Sequence, residues 1–451
     1  MRFALKPHVL CLGLAILISA PVHAQSLRRT FENLFRFGDC GNDALLCLKN
    51  TSGQDAALTF SDAIEGGNNL LIGFVTDAIG RSISNIPTPA TSTGSIIEFT
   101  PGGRVQTRRL SAGPIYAERA PTLGKKRLLI GVLLTAMRFQ ALRGVPLSNL
   151  AFNFRHVDIP GTPGFGNPVQ ENNILQVTTD VELQTWVSSF FLTYGVLNNL
   201  DLGIAIPIVR TSLSGVSQAQ ILPFGSNSVY SFGGPAADPQ LTETSYQQGS
   251  AIGFGDIGIR AKLNVRQSSD LGFALRSDIR LPTGSEEELL GLGTFAVNAL
   301  GVASWEIGIF TPHLNLGYRY RAYADSLQNH GLLAALGFDL LLAGGVTFAA
   351  DLLSDVELDK SSISIPQDIE YTEPYTRVVP ATTIPDVNDS RTDASIGVKW
   401  AVPCTEAWST FCATGAGQGT GLTIITALLV PLDNGGLRTG LILSLGAQYR
   451  F

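Results

Sequence analysis

Charge is what this sequence has least of. Only 15% of its 451 residues are charged, against roughly 25% in an ordinary soluble domain. Long apolar runs are missing as well. Beyond the N-terminus no stretch approaches the ~18 uninterrupted apolar residues of a membrane helix, although 45% of the residues are hydrophobic. These absences exclude a multi-span helical membrane protein and a charge-rich disordered chain. There is no basic excess either: the formal net charge is −6, which speaks against a nucleic-acid partner. What remains is a large β-protein, either soluble or a transmembrane barrel whose strands hide their hydrophobicity by alternation.

Residues that carry chemistry are equally sparse. The chain has 5 His, of which His156, His313 and His330 lie beyond the N-terminal leader. There is no HExxH, GxSxG or CxxC, so no metal site, no cofactor and no enzymatic activity are expected. Gly253–Gly258 matches GxGxxG, but strand alternation runs through it, whereas a dinucleotide loop ends a strand and opens a helix. His313 and Asn315 share a strand face, while Ser277 falls on the opposite, apolar side. That separation argues against a catalytic Asn/His/Ser set.

The N-terminus has a short basic region (Arg2, Lys6), an apolar core from Val9 to Ile18 and a small-x-small site at Val22–Ala24. Residues 1–24 read as a secretory signal peptide. Four cysteines follow it, Cys40, Cys47, Cys404 and Cys412. An even count in an oxidising compartment suggests disulfides. The spacings favour two local loops, Cys40–Cys47 and Cys404–Cys412, although three pairings are possible.

From residue 127 to 451 the pattern has period two. The last strand alternates Leu441, Leu443, Leu445, Ala447, Tyr449 and Phe451 with Gly440, Ile442, Ser444, Gly446, Gln448 and Arg450. Ending on an aromatic after such a series is the habit of outer-membrane barrels, whose C-terminal strand is read by the assembly machinery. Fourteen segments of this kind can be counted, with twelve to sixteen allowed, because 127–139, 292–305 and 421–431 alternate poorly. Segments 147–157, 172–183 and 185–196 count as separate strands, which leaves only Gln184 as a turn and places 158–171 on the periplasmic side. The expectation is an all-β transmembrane antiparallel barrel in a Gram-negative outer membrane, in contact with outer-membrane lipid. Residues 25–126 have short amphipathic helical stripes and a hairpin signal around Pro101-Gly102-Gly103. They are expected to form an N-terminal plug, or else a periplasmic segment.

The polar faces of these strands give the lumen-lining candidates: Arg155, Arg260, Lys262, Arg276, Asp278, Arg280, His313, Asn315, Arg319, Arg321 and Lys399. Pairing among these charges and with the pre-barrel segment is expected, because unpaired charge in a narrow space is costly. Loop 214–250 carries Phe224, Tyr230, Phe232 and Tyr246 and no Lys or Arg. These aromatics either collect an apolar ligand or simply pack the loop.

Several blocks carry a family resemblance. They are Tyr194-Gly195-Val196, Asn199–Gly203, Ile206-Pro207, Gly253–Ile257, Leu281–Gly284, Pro312–Tyr318, Val430–Leu432 and Gln448–Phe451, with Gly113–Lys125 as an upstream extension. The chain resembles bacterial outer-membrane barrels of the phenol meta-degradation-pathway transporter type, themselves similar to long-chain fatty-acid and aromatic-hydrocarbon transporters. That resemblance implies passive uptake of hydrophobic small molecules past an N-terminal plug. A general diffusion porin for small polar solutes and a structural or adhesin barrel are the alternatives that the residues leave open.

Overall fold

The computed structural model describes residues 26–34, 47–50, 60, 78–82, 90, 95–99, 105–109 and 111–451, the last without 157–159, 161–164, 226–227, 269, 323–328, 360–366 and 404–420. Twelve antiparallel strands close into one ring. They are β1 (Leu128–Leu142), β2 (Ile174–Leu197), β3 (Leu200–Leu222), β4 (Ile257–Gln267), β5 (Leu271–Leu281) and β6 (Phe295–Trp305). The other six are β7 (Phe310–Ala322), β8 (His330–Leu341), β9 (Val346–Glu357), β10 (Arg391–Ala401), β11 (Leu422–Pro431) and β12 (Leu437–Arg450). Each pairs with the next in sequence, and β12 pairs with β1 to close the wall. Closure leaves no sheet edge in the bilayer, where an unpaired backbone group costs several kcal/mol.

The count is therefore twelve and not fourteen. Segments 172–183 and 185–196 are one strand. Gln184 pairs with Arg138 on one side and Ser212 on the other, so the ladder runs straight through it. With that turn gone, the connection from β1 to β2, expected on the periplasmic side, falls at the opposite end of the barrel, where Leu150–Arg155 and residues 166–173 are described. Segment 147–157 contains Leu150–Arg155, which pairs with the far end of β2 beyond β1 and stands outside the ring. The strand Thr242–Phe254 does the same along β3, above β4. Strands β2 and β3 have 24 and 23 residues, about twice the 9–11 needed to span a bilayer. One side of the barrel thus rises well above the membrane.

Side-chain alternation separates two environments. Leu202, Ile204, Leu314, Leu316, Leu443 and Leu445 are exposed on the outer face, while Asp201, Lys262, His313, Asn315 and Ser444 are buried on the inner face. Trp186 and Tyr320 lie near the extracellular end of this apolar belt, and Tyr194, Trp305, Tyr449 and Phe451 near the short-turn end. Aromatic girdles at both interfaces are the mark of a membrane-spanning barrel. The Gly253–Gly258 stretch joins Thr242–Phe254 to β4, with strand on either side and no helix.

The described parts of the pre-barrel segment contact the barrel at several heights. Helix α1 (Leu27–Glu32) is capped by Ser26, whose Oγ accepts from Arg29 N. It buries Leu27 and Phe31, with Leu34 just beyond it, beside β3 and Thr242–Phe254. A Cβ on Gly215 would lie 2.6 Å from Leu34 Cδ1, so that glycine makes room for the segment. Lys49–Asn50 pairs with Tyr230–Ser231 in an outer loop. Cys47 is disulfide-bonded, and Cys40, Cys404 and Cys412 lie outside the described residues.

Placing an arginine at Leu445, on the lipid face of β12, should destabilise the barrel by about 2–4 kcal/mol. Urea unfolding in lipid vesicles measures this, and an unchanged midpoint would mean that the face does not meet lipid.

Candidate functional site

A ribbon of irregular chain, Ser111–Gly124, crosses the lumen toward the short-turn end and leads into β1. Such a chain cannot make its own ladder, yet buried N–H groups need acceptors. Side chains of the wall provide them. Ala112 N donates to Thr347 Oγ1 at 2.7 Å, Glu118 N to Asn315 Oδ1 at 2.8 Å, Ala120 N to Ser304 Oγ at 3.1 Å and Leu123 N to Asp201 Oδ2 at 2.8 Å. Asn315 Nδ2 returns a bond to Glu118 O at 2.9 Å, so this one side chain imitates a neighbouring strand. Tyr116 and Ala117 N–H groups point at Asp351 Oδ2, each at 3.4 Å. Tyr116 Oη donates to Ser444 Oγ at 2.8 Å.

Two charged side chains fix the centre of the ribbon. Glu118 is 0% exposed and Arg119 1% exposed. Glu118 meets Arg260 Nη1 and Lys262 Nζ, both at 3.1 Å. Arg119 meets Glu306 and Asp339, both at 3.4 Å. Each charge is thus matched by its own set of wall residues, on β4 for Glu118 and on β8 and the end of β6 for Arg119, as burial demands. Lys399 Nζ donates to Ala112 O at 3.4 Å. A Cβ on Gly397 would meet Ile115 Cγ1 at 2.9 Å, so a side chain there would push the ribbon off the wall.

His313 belongs to this network. Its Nε2 lies 2.7 Å from Asp351 Oδ1, and its Nδ1 lies 3.7 Å from Asp339 Oδ1. Ser111 Oγ hydrogen-bonds Asp339 and not the imidazole. A nucleophilic serine needs its base on the hydroxyl, so this arrangement holds the ribbon and does not activate a nucleophile.

The other lumen candidates from the sequence also gather on the inner wall. Asp278 accepts from Arg260 Nε at 2.6 Å and pairs with Arg276 Nη2 at 2.7 Å. Arg319 pairs with Asp355 and Glu357, and Arg321 with Glu357 at 3.3 Å. Arg276, Asp278, Arg280 and Arg319 border a cavity of about 200 Å³ above Tyr116 and Ala117 and below Ser82. Arg155 is the exception. It sits exposed on Leu150–Arg155, outside the ring, 5.4 Å from the centre of the Tyr371 ring. Alternation continues beyond the membrane there, so a polar strand position does not make a lumen position.

Three of the four loop aromatics pack the loop. Phe224 stacks on Tyr375 at 4.4 Å between centroids. Tyr230 and Phe232 are buried, and Phe60 of the pre-barrel segment meets Tyr230 edge-on at 5.6 Å. Tyr246 is 57% exposed on the outer face of Thr242–Phe254. A ligand-collecting cluster of these four is therefore corrected to a packed outer loop plus one isolated tyrosine.

Sequence reasoning missed Glu118, Arg119 and Asp339, and it missed an apolar inner surface. Met137, Phe139, Leu429 and Ile442 line the same cavity. Their signal was present, because 127–139 and 421–431 alternate poorly when both faces are apolar.

No family model matches the chain, and no curated protein matches it. Several solved structures show a partial likeness. An outer membrane channel from Pseudomonas putida F1 aligns with a TM-score of 0.40 at 12% identity, covering 74% of this chain and 98% of that one. A FadL homologue from Pseudomonas aeruginosa aligns at 0.30 and 13% identity, covering 72% and 89%. The CymD monoaromatic hydrocarbon channel aligns at 0.32 and 8% identity, covering 73% and 89%.

Glu118→Gln should cost about 3 kcal/mol, because it leaves Arg260 and Lys262 short of a buried counter-charge. The double variant Glu118→Gln/Lys262→Met should regain part of that loss. Equal urea midpoints for wild type and Glu118→Gln would show that the pair does not hold the ribbon.

Proposed function

We propose that this chain is a passive outer-membrane channel for small hydrophobic molecules, occluded by its own pre-barrel segment. One observation carries the reading: the lumen has an apolar patch. Met137, Phe139, Leu429 and Ile442 face inward onto a cavity, whereas a diffusion pore for polar solutes has a polar interior throughout. Inward apolar side chains in such a lumen provide a surface for an apolar solute that water cannot wet favourably.

The ribbon supports the occluded state. It crosses the lumen on at least six wall strands, β3, β4, β6, β7, β8 and β9, through the bonds described above. This supports reading the pre-barrel segment, residues 25–126, as a plug, and transport then requires the ribbon or its neighbours to shift. The plug also weighs against a general porin, the alternative that the arginines on β5 and β7 favour, because a porin needs an open path.

In planar bilayers the intact protein should show low ion conductance, and removal of residues 26–124 should raise it severalfold. In a porin-deficient Gram-negative host the intact protein should speed uptake of a labelled neutral aromatic over that of a sugar of similar size. A large steady conductance from the intact protein, with no aromatic uptake, would replace this reading with the porin.

A further inference from the structure

The cavity has two unlike walls. In a ring of twelve strands, β6 stands opposite β12. On β1, β11 and β12 the lining is mostly apolar, Met137, Phe139, Leu429, Leu437 and Ile442, with Arg438 and Thr439 at the upper end of β12, where Arg438 is paired with Asp393 and Asp433. On the facing arc, β5 to β7, it is mostly polar, Arg276, Asp278, Arg280, Asn298, Asn315 and Arg319, with Leu300 among them. A solute in this space lies with one end on hydrocarbon and the other on guanidinium groups.

The polar arc is not internally saturated. Asp278 is already shared between Arg260 and Arg276. Arg319 gives its terminal nitrogens to Asp355 and Glu357. Arg276 Nε and Arg319 Nε are buried without a hydrogen-bond partner, and so is Asn298 Oδ1 between them on β6. The Arg319 side chain is only 2% exposed. Two buried cationic donors, on β5 and β7, therefore have no acceptor of their own. A buried donor left without one carries a penalty of about 1–3 kcal/mol, which an incoming anionic oxygen would remove.

Size narrows the occupant further. A cavity of roughly 150 Å³ holds a benzene ring, so about 200 Å³ admits one ring and a small substituent. We propose that the chamber selects small amphipathic carboxylates, single-ring aromatic or short alkyl acids. The carboxylate lies against Arg276 and Arg319, and the apolar body against Met137, Phe139 and Ile442. This deepens the channel reading above and rests on it.

The test compares uptake of benzoate, its neutral isostere benzamide and the wholly polar carboxylate gluconate in porin-deficient cells that produce the full chain. Heat-modifiable mobility verifies that each variant is folded. Wild type should favour benzoate over benzamide by about tenfold, the factor for one charged hydrogen bond at the weak end of its range. Arg276→Gln should shrink that ratio, and Asn298→Asp, which removes no existing ion pair, should abolish it. If benzamide enters as fast as benzoate and neither substitution moves the ratio, carboxylate selection is wrong, while the hydrophobic channel stands. If gluconate enters as fast as both aromatics, the hydrophobic channel fails and the selection with it.

Discussion

The structure depends on how the barrel satisfies a chain that forms no ladder of its own. Ser111–Gly124 brings a run of backbone N–H groups into a space without bulk water, and each must find an acceptor. The wall meets this with Thr347, Asn315, Ser304, Asp201 and Asp351. These residues sit on four strands, β3, β6, β7 and β9, and their inward positions follow from the period of two. The buried charges of Glu118 and Arg119 then fix the register, because each has partners on a different arc. A hydrophobic ribbon would slide along such a wall, but this one has a single position.

Low overall charge follows from the same arrangement. Within the bilayer, the outward face of each strand meets lipid and carries almost none. The charge that remains is concentrated where it can be paired, on the lumen face of β4, β5, β7 and β9 and in the outer loops. The exception is a patch on β1, β11 and β12, where Met137, Phe139, Leu429 and Ile442 face inward. An apolar patch opposite an arginine-lined one gives the lumen a direction across its width, and that asymmetry bears most directly on what passes through it.

Much of the wall was legible in the sequence because period-two alternation is a local property. Strands β7 to β10 and β12 end within two residues of the alternating segments 308–321, 329–341, 344–356, 392–402 and 438–451. The strand count was less legible. Alternation does not reveal where a strand leaves the bilayer, so the tall β2 was read as two strands, and Arg155, on an extension of the wall, as a lumen residue. The poorly alternating strands turned out to be informative, since their inner faces line the cavity. The ribbon was illegible for a physical reason. Its conformation is set by acceptors on distant strands, so no spacing within Gly113–Lys125 announces it, and only the Glu118-Arg119 pair, the sole charges before Lys125, hints at a buried partner.

The central claim is that wall side chains hold the ribbon as firmly as a strand. Hydrogen exchange of the folded protein in lipid nanodiscs tests it, read at the amides of Ala112, Glu118, Ala120 and Leu123. The account expects these four to exchange as slowly as amides in the middle of β7. Exchange at the rate of the exposed turn between β11 and β12 would contradict it, and would leave the lumen without the closure on which the rest of the reading stands.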